Sequence, residues 1–183
     1  MRKNYLIICG IFAVCLLFTG CANEKSPEYN ENIIPVIEAM VNAPDSDYFS
    51  VNDVTVLGQG TADKLSQEER SKIDENWAKI AENHFAPNCF GPFQSLGLGQ
   101  IFHMAVAEGD YYSDSLAESI RLEDIELKER KPDGDEVVIV KIIIDEKLRN
   151  EFEMTFSYNG DGLIEKVDFP RYTEVADIIL EAE

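Results

Sequence analysis

The sequence predicts an α+β protein, with two or three N-terminal helices packed on a curved four-stranded antiparallel sheet. Three observations predict this class. Apolar residues recur at helical spacing in the first half of the chain, they alternate with polar residues from Ile120 onward, and turn signals separate the alternating stretches. Helices followed by a run of strands are typical of α+β domains rather than of parallel sheets with alternating helices.

The first predicted helix carries its apolar residues three or four positions apart: Ile33, Ile37, Met40 and Val41. Pro35 lies in the first turn, where its missing N–H is tolerated, and Ala43-Pro44 ends the helix. Turn residues with a short alternation at Val54 and Val56 then indicate a loop and either a short strand or an extended arm.

A second helix begins at Ser66, which forms a capping box with Glu69. Its apolar stripe comprises Ile73, Trp77, Ile80 and His84. The apolar run from Phe93 to Ala107 fits a strand or a helix by propensity. We favour a third helix that packs closely through Gly97 and Gly99.

The strands are marked by alternation. Ile120 and Leu122 are out of phase with Ile125 and Leu127, which predicts a bulge near residues 123–124. The β-branched run 137–144 predicts a central strand. The alternation over 152–158 predicts a strand with one wet face, and Asn-Gly-Asp-Gly at 159–162 turns the chain into a last strand through Leu163, Val167 and Phe169. Residues 172–183 suit a terminal helix.

The N-terminus has the organisation of an export signal. Arg2 and Lys3 precede an uncharged apolar stretch from Leu6 to Phe18, which at about 20 Å is short for a hydrocarbon core of roughly 30 Å. We therefore predict three parts in the chain: a cleaved signal over 1–20, a tether over 21–29 and a single domain over 30–183.

Phe18-Thr19-Gly20-Cys21 resembles the lipobox of bacterial lipoproteins, with Phe18 where Leu is usual. The resemblance implies that Cys21 receives a diacylglyceryl group, becomes the new N-terminus and carries acyl chains such as palmitate. An ordinary signal peptide followed by a chance cysteine is the alternative. The expected location is the extracytoplasmic side of a cell membrane.

The order of elements and the closing hairpin at 159–169 resemble the nuclear transport factor two-like (cystatin-like) fold. The chain also looks like small lipoproteins of low-GC Gram-positive bacteria that carry this domain. The resemblance implies a cone of helices and bent sheet whose interior can hold a small ligand or an active site. No position here matches the catalytic motifs of the family's enzymes.

The net charge and the cysteine count limit the classes of partner and bond that we expect. A formal charge of −19 argues against a nucleic acid partner, since binding to phosphates draws on clustered Lys and Arg. Cys9 and Cys15 leave with the signal and Cys21 is acylated, so Cys89 remains without an internal disulfide partner. We expect Cys89 to be a buried, inert thiol rather than a nucleophile paired with His84.

Four residues are candidates for lining a pocket: Trp77, His84, His103 and Tyr112. Each also has an ordinary structural interpretation, as a core side chain or a satisfied imidazole. No catalytic set and no cofactor motif is recognised. The spacing of His84, Cys89 and His103 fits no common zinc site, and the Asp-Gly and Asn-Gly turns do not continue as calcium loops.

The sequence therefore predicts a membrane-anchored, extracytoplasmic lipoprotein that acts as a non-catalytic ligand-binding or accessory domain of the cell envelope. Its expected partners are the membrane, through lipid on Cys21, and an envelope protein or a small hydrophobic ligand. The alternative is a small enzyme of the isomerase, dehydratase or hydrolase type, with His103 or a buried Asp as base in a pocket inside the cone.

Overall fold

Four antiparallel strands form one open sheet in the computed structural model, which describes residues 28–50, 65–95, 98–106 and 116–183. The sheet order is β1-β2-β3-β4, as predicted for a meander. The strands are β1 (Ile120–Arg130), β2 (Glu136–Ile144), β3 (Leu148–Tyr158) and β4 (Ile164–Asp168). Predictions for Cys21 and the leader, for Val54 and Val56, for Gly97 and for Tyr112 lie outside the described residues.

The described ranges contain α1 (Ile33–Val41), α2 (Gln67–His84), α3 (Phe90–Ser95), a 3-10 turn (Leu98–Gln100), α4 (Ile101–Val106) and α5 (Tyr172–Leu180). The first two helices and the terminal helix confirm the predictions. The prediction of one continuous third helix from Phe93 to Ala107 is wrong, because the described part of this stretch contains the end of α3, a 3-10 turn and α4. Glycine lowers helix stability by about 1 kcal/mol, and this stretch contains Gly97 and Gly99.

The predicted central strand is confirmed. β2 pairs with β1 on one side and with β3 on the other, and the side chains of Val138, Val140 and Ile142 are fully buried. β3 alternates as expected, with Phe152, Met154 and Phe156 buried. β-branched residues suit such a position because they pack well on a pleated, buried surface.

β1 contains the predicted bulge. Its pairing with β2 shifts between Leu122 and Asp124, which explains the change of phase in the sequence, and it shifts again between Leu127 and Glu129. Most β1 side chains outside the buried Ile120 and Ile125 are charged and exposed. β1 is also an edge strand of this sheet.

The helices bury their apolar faces in the same cluster as the inner side chains of the sheet. From α1, Ile33, Val36, Ile37 and Met40 are fully buried, and they belong to one core with Phe102 of α4 and Phe156 of β3. Burying a large apolar side chain contributes about 1.5–3 kcal/mol. The end of α1 is joined to the sheet by two hydrogen bonds between Ala43 and Ile120, at 2.9 and 2.7 Å.

Candidate functional site

Two polar side chains, those of Glu136 and His103, are buried among the residues that the structure describes. A buried charge or imidazole is costly unless hydrogen bonds compensate it, so each needs a physical explanation. Such groups are also the usual starting point in a search for a functional site. Their surroundings differ completely.

Glu136 begins β2 and accepts hydrogen bonds at both carboxylate oxygens. Arg130, its register partner on β1, places Nη2 at 2.5 Å and Nε at 3.1 Å from Oε1. The Tyr158 hydroxyl and the Asn30 backbone N–H each donate to Oε2 at 2.9 Å. Burial, followed by the hydrogen bond to Glu136, raises the pKa of Tyr158, so its phenol remains a donor. The arrangement satisfies a buried carboxylate.

The same group of residues holds the start of the described chain. The Asn30 and Asn32 side-chain amides donate to the Gly162 carbonyl oxygen at 2.7 and 3.1 Å, and Arg130 Nη2 donates to the Glu28 carbonyl oxygen at 2.9 Å. Gly162 has φ +80°, a conformation that favours glycine. We call Asn30, Arg130, Glu136, Tyr158 and Gly162 the entry clamp, because they fix residues 28–32 to one end of the sheet.

His103 lies on α4 and caps the end of α1. The Ala43 N–H donates to Ile120 rather than back to the Ala39 carbonyl oxygen, and His103 Nε2 lies 2.9 Å from that oxygen. A carbonyl can only accept, so Nε2 carries the hydrogen and Nδ1 presents a lone pair. Side chains that donate to the last carbonyls of a helix are a common capping device.

Burial lowers the pKa of His103, and the hydrogen bond to the Ala39 carbonyl oxygen acts in the opposite direction. Its ring stacks on Phe49 with centroids 5.8 Å apart. Nδ1 is buried and has no hydrogen-bond partner among the described residues. His103 is therefore a neutral imidazole with one unused basic nitrogen.

Trp77 and His84 are both on α2 and have separate tasks. Trp77 donates its indole N–H to the Tyr48 carbonyl oxygen at 2.9 Å, and its ring packs against Phe93. His84 ends the helix with Nδ1 3.3 Å from Asn32 Oδ1, and partial burial lowers its pKa. The hydrogen bonds of Trp77, His84 and His103 go to different neighbours.

Cys89 differs from its prediction. It is half-buried rather than buried, and its thiol donates to the Pro87 carbonyl oxygen at 3.8 Å. Asn88, with φ 68°, turns the chain just before it and keeps it at the surface. His84 makes its hydrogen bond elsewhere, to Asn32.

A surface groove of about 610 Å³ runs along α2. One stripe of the helix, formed by Asp74, Ala78, Ala81 and Glu82, lines one side, and Phe90 and Leu163 contribute to its apolar lining. We call it the α2 groove. The sequence gives no sign of it, because it depends on the approach of the 85–90 segment and Leu163 to the helix.

The missed functional candidates are Glu136 and Tyr158. The sequence signal that could have found them is a charged pair, Arg130 and Glu136, placed on either side of the Lys-Pro-Asp-Gly-Asp turn. Within the described ranges, no group of three or more His, Cys, Asp and Glu side chains could hold a metal ion. No helix in the described part of the chain is long and apolar enough to cross a bilayer.

No protein-family model matches the chain, and neither a curated protein nor a solved structure is significantly similar to it.

Proposed function

We propose that this chain is a lipid-anchored, extracytoplasmic lipoprotein whose folded body is a non-catalytic ligand-binding or accessory domain of the cell envelope. The observation that carries the proposal is the entry clamp. It fixes residues 28–32 to the sheet, at the end of the sequence in which we predict a tether acylated at Cys21. A tethered domain needs such a fixed point of attachment, because otherwise its first residues would fray.

The dimensions and charge suit this role. Residues 21–27 reach about 23 Å when extended, enough to separate the body from a membrane surface. A formal charge of −19 repels anionic headgroups, so acyl chains rather than protein contacts would hold the body to the bilayer.

The buried polar groups support a role without catalysis. Glu136 holds the N-terminal entry and His103 caps α1, so each has a structural task in the described part of the chain. We further propose that the helices and bulged sheet form the cone of the nuclear transport factor two-like fold. Support comes from the four-stranded antiparallel order, the two shifts in β1 and the common core that links helices and sheet.

The test is metabolic labelling of cells with a radioactive fatty acid. Label should appear in the wild-type chain and in Cys89→Ser, which controls for an ordinary thiol, and disappear in Cys21→Ala. The Cys21→Ala protein should also leave the membrane fraction. Label retained by Cys21→Ala, or absent from the wild-type chain, would overturn the anchor.

A second candidate is a small enzyme of the isomerase, dehydratase or hydrolase type, and the buried Nδ1 of His103 is the observation that favours it. A lone pair without a partner can accept a proton from a bound substrate. Hydrolysis of p-nitrophenyl acetate that falls to background in His103→Gln but not in His84→Gln would support this enzyme. Equal rates in the two folded variants would exclude His103 as its base.

A further inference from the structure

The α2 groove combines an apolar lining with carboxylates that have no cation. Asp74 and Glu82 lie on the same stripe of α2 as Ala78 and Ala81, eight residues apart. Neither carboxylate forms an ion pair or a hydrogen bond within the described ranges. Two other acids on or near α2 have partners: the Glu69 carboxylate accepts from the Ser66 hydroxyl, and Asp47 forms an ion pair with Lys72.

No Lys or Arg side chain in the described part of the chain lines the groove. On α2 itself, Lys72 reaches Asp47 and Lys79 lies 3.4 Å from Asn76 Oδ1. These two lysines are therefore directed to other partners. Charge complementarity consequently favours an occupant that brings its own positive charges.

The spacing of the carboxylates defines that occupant more closely. Eight residues of helix place the α-carbons of Asp74 and Glu82 about 12 Å apart. Four residues of extended chain span about 13 Å, so basic side chains four positions apart on an extended segment would meet both acids. The small side chains of Ala78 and Ala81 leave room between them for an apolar side chain, opposite Leu163.

We propose that the α2 groove binds a peptide segment of a partner protein. The segment carries one basic residue on each side of a central apolar residue. This inference rests on the proposed function of an accessory domain and names the chemistry of its partner. A second copy of this acidic chain would be repelled from the groove, and a free small hydrophobe would leave both carboxylates unpaired.

The probe is the peptide Lys-Ala-Leu-Ala-Lys, titrated by NMR into the full chain in a zwitterionic detergent. Amide shifts should change at Ala78, Ala81 and Glu82. The double variant Asp74→Lys/Glu82→Lys should raise the Kd at least about tenfold, since both attractions between the peptide lysines and the groove carboxylates become repulsions. The matched control Glu75→Lys/Glu129→Lys makes the same change of net charge outside the groove and should alter the Kd less than about twofold.

A second peptide, Lys-Ala-Ser-Ala-Lys, tests the apolar contact and should bind several-fold more weakly. Equal weakening by the two charge variants, equal binding of the two peptides, or shifts away from the groove would each overturn the proposal. The outcome of the peptide titration does not depend on whether Cys21 is acylated. Failure of the labelling experiment would remove the anchor and leave the peptide binding intact, and the reverse also holds.

Discussion

Tyr158 donates its hydroxyl hydrogen to Oε2 of Glu136 at 2.9 Å, so the last residue of β3 and the first residue of β2 share a partly buried hydrogen bond. The carboxylate that receives it is 3% exposed. Since the other donors to Glu136 come from Asn30 and Arg130, one acidic side chain connects three strands to the start of the described chain. Its removal should loosen that end of the molecule.

Glu136→Gln should lower the free energy of unfolding by about 1–3 kcal/mol, because it weakens the hydrogen bonds of a buried carboxylate and leaves its donors imperfectly paired. Tyr158→Phe should lower it by about 1 kcal/mol. Urea denaturation measures both. The matched control is Glu153→Gln, which removes an exposed ion pair with Lys128 and should scarcely move the midpoint. Equal losses in the three variants would show that the burial of Glu136 has no energetic consequence.

Stability should depend on pH through His103. Burial lowers its pKa in the folded state below the value of about 6.5 for a free imidazole. The unfolded chain therefore binds the proton first, and stability is full above about pH 6.5 and falls as the pH decreases below it, by at most about 1.4 kcal/mol per pH unit. Asp45 opposes this decrease of the pKa, and Arg121 reinforces it.

Unfolding measured between about pH 5 and 7 should show this slope in the wild-type chain and a flatter one in His103→Gln, whose amide can still donate to Ala39. His84→Gln is the comparison, because burial also lowers the pKa of this half-buried imidazole. We expect His84→Gln to remove the smaller part of the slope. An unchanged slope in His103→Gln would contradict the prediction.

Gly99→Ala should be destabilising. A Cβ at this position would lie 2.5 Å from Cη2 of Trp77 and 3.0 Å from Cε1 of Phe93, and both rings are buried. Forcing them apart should cost about 1–3 kcal/mol. Gly91→Ala is the control, since a Cβ there meets nothing within 4 Å and alanine favours its helix. Thermal melts should move down for the first variant and stay or rise for the second.

Ser66→Ala should shorten α2 from its start. The Ser66 hydroxyl accepts from the Glu69 N–H at 3.2 Å, and the Glu69 carboxylate receives the Ser66 N–H at 3.0 Å. Loss of such a cap costs about 1 kcal/mol. In contrast, Ser71→Ala lies within the helix and should be neutral or slightly stabilising. Hydrogen exchange at residues 67–70 would show no change if the capping box were unimportant.

Features that depend on neighbouring residues could be predicted from the sequence. The capping box, the β1 bulge and the central strand each follow from local spacing, and all three are present. The close packing of Gly99 was also foreseen, although its partner Trp77 was not.

Features that depend on distant contacts could not be predicted. Glu136 bonds Asn30, 106 residues away, and no spacing rule connects them. His103 could be proposed as an interior imidazole, but its capping role exists because Ala43 pairs with Ile120. In the last strand, Ile164 rather than Leu163 is fully buried, because the pairing of β3 with β4 shifts at Ser157 and Tyr158.

The charged outer edge of β1 has a consequence for the membrane-anchored form that we propose. Beyond the contacts of Ile120 with Ala43 and of the Leu122 N–H with Asn42 Oδ1, β1 carries the exposed charged side chains of Arg121, Glu123, Lys128 and Glu129. Exposed edges invite pairing with another molecule, and charge and bulges prevent it. In the lipid-anchored form that we propose, copies confined to a membrane surface would meet one another far more often than in free solution, and this edge would keep them from aggregating.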